Sequence, residues 1–186
     1  MKYYRPFPCD HTVEKPLVCD VTNLEKYENI GTGTYQVEKY FCQGKEIPTW
    51  PDDIYLTTES RECDGDPDDV LQNGDMIPIF SKRLMDAINQ QEISGFQFLP
   101  VAVYGYGRRE IGTFYIANCT NMVSALDFEK STYYRFPEDA INPEARGKIV
   151  CYHFVLKLEN IKQYDVFRLA EQPKALFVSD KFVKMF

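Results

Sequence analysis

The sequence predicts an α+β fold, a single compact domain with a mostly antiparallel sheet and few helices. Three observations carry this reading. The elements succeed one another as strands, helix, hairpin, strands, helix, without the regular strand–helix alternation of a doubly wound sheet. Aromatic residues make up 15% of the chain, with 13 Tyr and 13 Phe, and flat rings pack well on pleated surfaces. The 186 residues, 44% of them hydrophobic, suit one domain that withdraws roughly 70% of its unfolded surface from water.

Residues 1–50 read as an N-terminal, aromatic-rich strand section of that domain. Met1–Phe7 and Tyr35–Cys42 are its strands, with Gly31-Thr32-Gly33 as a turn between them. Pro48 and Pro51 break the chain, because each proline restricts the residue before it. Residues 51–77 form an acidic loop, entered by a short strand at Ile54–Thr58. The core follows over 78–186. A helix signal covers Asp75–Ile93, with Ser81 placed to cap an orphan amide and Phe80 and Met85 placed as a hydrophobic staple. Leu84, Met85, Ala87 and Ile88 share one helical face, and Gly95 supplies the left-handed exit. Phe96–Tyr104 and Thr113–Cys119 then make a hairpin around the tip Gly105–Arg109. Lys148–Leu158 is apolar on both faces for much of its length, which predicts a central strand. Asp165–Leu169 and Ala175–Val178 are short strands, and Ser179 opens a last helix over Asp180–Phe186. VSDKFV at Val178 echoes FSKRLM at Phe80, although two matches of this length do not establish a repeat.

The net charge of −7 is concentrated in one place. Between Asp52 and Asp75 stand nine acidic residues and one basic, Arg61, so this segment carries −8 and the rest of the chain +1. Such a patch steers a basic partner and raises its association rate. The acidic balance and the lack of a basic stripe argue against nucleic-acid binding. No segment approaches the ~20 apolar residues of a membrane span. The opening residues MKYYRPFPCDH contain no apolar run resembling a signal peptide, so the expected setting is cytoplasmic and the six cysteines are read as free thiols.

Motifs for chemistry are sparse. Asp64, Asp66 and Asp68 alternate and Asp75 stands twelfth, as in a calcium loop. The sixth position is Asp69 where the turn needs glycine, and the preceding flank reads as strand. Cys9, His11, Cys19 and Cys42 could ligate zinc, but there is no C-x-x-C pair. Cys151 and His153 lie two apart on a strand and so share a face, yet no orienting acid or oxyanion donor accompanies them. Gly105 and Gly107 suit a hairpin tip better than a phosphate loop. The reading therefore assigns no catalytic residue, no metal and no cofactor. A Cys/His hydrolase, a small metal-binding protein and a regulatory interaction module stand as alternatives to a binding role. Asp127 and Arg168 are expected to meet as a partly buried ion pair.

One ordered set of motifs resembles a known family. Pro78-x-x-Ser81 opens a helix, followed by Gly95-Phe-Gln-Phe-Leu-Pro100-Val, Ala125-Leu-Asp127-Phe-Glu-Lys-Ser131, Val166-Phe-Arg168-Leu and Phe177-Val-Ser179. Together these resemble the immunity-protein-eleven family, over about the last two thirds of the chain. The resemblance implies a cytoplasmic, non-enzymatic immunity protein of a bacterial polymorphic toxin system, whose partner is a cognate toxin. It carries over no catalytic residues. Asp64, Asp66, Asp68 and Asp69, in the acidic segment, are the expected contacts with that partner.

Overall fold

The fold is described from a computed structural model, over residues 2–4, 20–21, 41–57, 68–71, 77–105, 107 and 109–185. Two mixed, mostly antiparallel sheets and a separate ribbon make up the α+β architecture. In chain order the strands are β1 (Tyr3–Tyr4), β2 (Asp20–Val21), β3 (Tyr55–Thr57), β4 (Val70–Leu71), β5 (Ile79–Ser81), β6 (Phe96–Tyr104), β7 (Glu110–Cys119), β8 (Met122–Val123), β9 (Thr132–Arg135), β10 (Ile149–His153), β11 (Val166–Leu169) and β12 (Leu176–Ser179). The helices are α1 (Lys82–Gln90), α2 (Leu158–Ile161) and α3 (Asp180–Val183). A six-stranded sheet runs β2-β3-β6-β7-β5-β4, a four-stranded sheet runs β1-β12-β11-β8, and β9 and β10 pair with each other. Only β3/β6 and β11/β8 are parallel pairs among these.

Period-two alternation sorts the side chains into three cores. On β6, Leu99, Val101 and Val103 face one core with Ile54, Leu56 and Ile116. Phe96 and Phe98 face the opposite one. That second core lies between the sheets and joins Phe80, Leu84 and Ile88 to Val166, Val178 and Phe182. The third collects Phe167, Leu169 and Phe177 with Leu126, Cys151 and Ile161. A polar strap fixes 45–47 to the central hairpin. Gln97 donates to Ile47 O (2.8 Å) and accepts from Ile47 N (2.9 Å), while Asn118 Nδ2 donates to Lys45 O (2.8 Å).

The strand at Phe96–Tyr104 has its expected bounds, and its partner extends to Glu110. Several expectations are corrected. The helix begins only at Lys82, because Ile79–Ser81 pairs with β7 as a strand. Ser81 does cap it, accepting from Leu84 N at 3.1 Å. The left-handed exit falls on Glu92 (φ 51) rather than Gly95. Gly95 (φ +106) is needed for another reason: a Cβ there would stand 2.3 Å from Asn121 Nδ2 and 3.0 Å from Val166 O. Phe41 is helical and Cys42 lies in a turn, so neither is strand; Tyr35 to Tyr40 lie outside the described residues. Lys148–Leu158 is not a central strand. β10 ends at His153 and belongs to the ribbon, with Val150 and Tyr152 turned outward.

The echo between FSKRLM and VSDKFV is a structural repeat. Asp69 and Asp165 precede the first strands of the hairpins β4–β5 and β11–β12. Ser81 N donates to Asp69 O and Ser179 N to Asp165 O, both at 2.8 Å. Ser81 Oγ donates to Asp69 Oδ1 at 2.5 Å, and Ser179 Oγ to Asp165 Oδ1 at 2.8 Å. Two residues beyond each serine, Arg83 and Lys181 pair with the same carboxylates. Phe80 and Val178, before the serines, and Leu84 and Phe182, three beyond them, meet in the middle core.

Candidate functional site

The acidic segment is described only in part. Asp64 and Asp66 lie outside the described residues. Asp52, Asp53 and Asp68 are exposed. Asp69 is half-buried and committed to its own hairpin: besides Ser81 it accepts from Arg83 Nε at 3.1 Å and pairs with Arg83 Nη2. Its carboxylate fixes the end of the acidic segment to the start of α1.

Asp127 and Arg168 are not brought together. Asp127 heads a tight turn, in which Oδ1 accepts from Glu129 N (3.1 Å) and Lys130 N (3.3 Å) and Oδ2 pairs with Lys130 Nζ (3.1 Å). The hydrogen bond from Lys130, with its charge, holds the Asp127 carboxyl below its ordinary range despite some desolvation. Ser131 closes the turn, with Oγ donating to Val155 O at 3.1 Å and accepting from Val155 N at 2.9 Å. Arg168 is buried at 2% exposure. Its Nη1 donates to Pro173 O (3.0 Å) and Lys174 O (3.3 Å), so it staples the β11–β12 turn, while Nε has no hydrogen-bond partner among the described residues.

Cys151 and His153 do not form a reactive pair. The register shifts between them, burying Cys151 and exposing His153. The Cys151 thiol donates to the main-chain oxygen of His153 at 3.1 Å and to Thr132 O at 3.5 Å. Cys119 is fully buried, and burial pushes its thiol up to about 11. Cys9, His11 and Cys19 lie outside the described residues. Among the described residues no group of three or more His, Cys, Asp or Glu could hold a metal, and no helix is long and apolar enough to cross a membrane.

A recess of about 330 Å³ opens beside β1, lined by Tyr3, Tyr4, Phe154, Leu156, Leu158 and Phe177 among others. Tyr3 OH points away to structural partners, donating to Ile161 O (2.7 Å) and Tyr164 O (3.1 Å). Burial, and then the Asp165 charge, raise its pKa. The recess is an open surface feature of mixed polarity, with Lys2 at its rim and no carboxylate, histidine or thiol among its described lining residues.

The described polar clusters thus hold turns and hairpins in place, and the class they define is an α+β protein with an acidic segment in its sequence and an exposed aromatic ribbon. The family model described as immunity protein family (Imm11) matches residues 5–186. The chain belongs to that family. The match takes in nearly all of the N-terminal section as well as the motifs that carried the resemblance. No curated protein matches the chain.

Sequence reasoning assigned Asp69 to a partner because it weighed charge density alone. The signal that places it in the fold was present: Asp-Val-Leu followed by Ser-Lys-Arg, and Asp-Val-Phe followed by Ser-Asp-Lys.

Proposed function

We propose that this protein binds a cognate toxin domain of a bacterial polymorphic toxin system and neutralises it in the cytoplasm by occlusion, with no bond made or broken by its own side chains. Membership of the immunity family over residues 5–186 carries this reading. The acidic segment from Asp52 to Asp75 supplies the contact region, through Asp64, Asp66 and Asp68, with Asp69 anchoring its end against Ser81 and Arg83. A charge of −8 over this stretch covers a basic face, steering the encounter and raising the association rate. The burial of Cys119 and the main-chain partners of Cys151 favour this reading over thiol chemistry.

The test is a pull-down and growth-protection assay with the toxin encoded beside this protein. Wild type captures the toxin and protects. Changing Asp64, Asp66 and Asp68 to Asn weakens capture, most strongly at low salt. Undiminished capture and protection by that variant removes the acidic segment from the interface.

A further inference from the structure

No further inference is drawn: the strongest candidate, the exposed outer face of the β9–β10 ribbon at Tyr134, Val150 and Tyr152, carries none, because nothing in the structure shows what covers it.

Discussion

Ser81→Ala tests the repeated aspartate–serine clasp. The Ser81 hydroxyl has two roles: it accepts from Leu84 N at the start of α1, and it donates to Asp69 Oδ1 at 2.5 Å. Loss of an N-cap costs about 0.5–2 kcal/mol, and a hydrogen bond to a charged group is worth about 1.5–3 kcal/mol. Asp69 keeps Arg83 as a partner, which reduces the second figure. The expected loss is about 2–4 kcal/mol, a large part of the roughly 5–15 kcal/mol that holds a domain folded. The assay is urea denaturation followed by circular dichroism and by fluorescence of Trp50, whose indole donates to Pro100 O at 2.7 Å in the central hairpin region. The midpoint should fall at constant slope, the mark of a change in stability alone. In a double-mutant cycle with Asp69→Asn the two changes should couple by at least ~1 kcal/mol. A loss under ~0.5 kcal/mol, or strict additivity with Asp69→Asn, refutes the clasp.

The remaining predictions concern other sites. Asp127→Ala and Arg168→Ala should destabilise additively, within ~0.3–0.5 kcal/mol in a double-mutant cycle, because each is held by its own neighbours; Arg168→Ala is the costlier, since it empties a buried site and leaves the Pro173 and Lys174 carbonyls without their donor. Gly95→Ala should lower stability by about 1–3 kcal/mol, seen as a lower melting temperature, because its Cβ would meet Asn121 and Val166 at φ +106. Cys119 should resist thiol reagents at pH 8 until the protein unfolds. Its thiol is raised from an ordinary 9.0 to about 11, so between those values the unfolded chain has lost a proton that the folded one retains. Stability therefore falls as pH rises from 9 to 11, by about 2–3 kcal/mol, and Cys119→Ala removes that component of the pH dependence.

Local pattern made much of this fold legible. β6 is bounded by Gly95 and the hairpin tip and holds a single polar residue, Gln97, so its limits follow from the residues. The Ser81 cap was legible for the same reason. Side-chain partners at a distance were not. Asp69 reads as one more charge in an acidic run until Ser81, twelve residues on, is brought beside it. Asp127 and Arg168 both stood out as marked positions in motifs, but Asp127 is paired three residues away with Lys130 and Arg168 Nη1 is held by carbonyls five and six residues away. The ribbon shows a further limit. Val150 and Tyr152 make Lys148–Leu158 apolar on both faces, which reads as burial between layers. An outer face that remains uncovered in the single chain has the same composition. The acidic contacts Asp64 and Asp66, and Cys9, His11 and Cys19, lie outside the described residues.

Occlusion differs from chemistry in its stoichiometry. Titrating purified toxin with this protein should reduce toxin activity linearly to zero at one equivalent, and denaturing separation should return toxin of unchanged mass and full activity after refolding. Inactivation by a small fraction of an equivalent, or a toxin recovered with altered mass, would contradict the account.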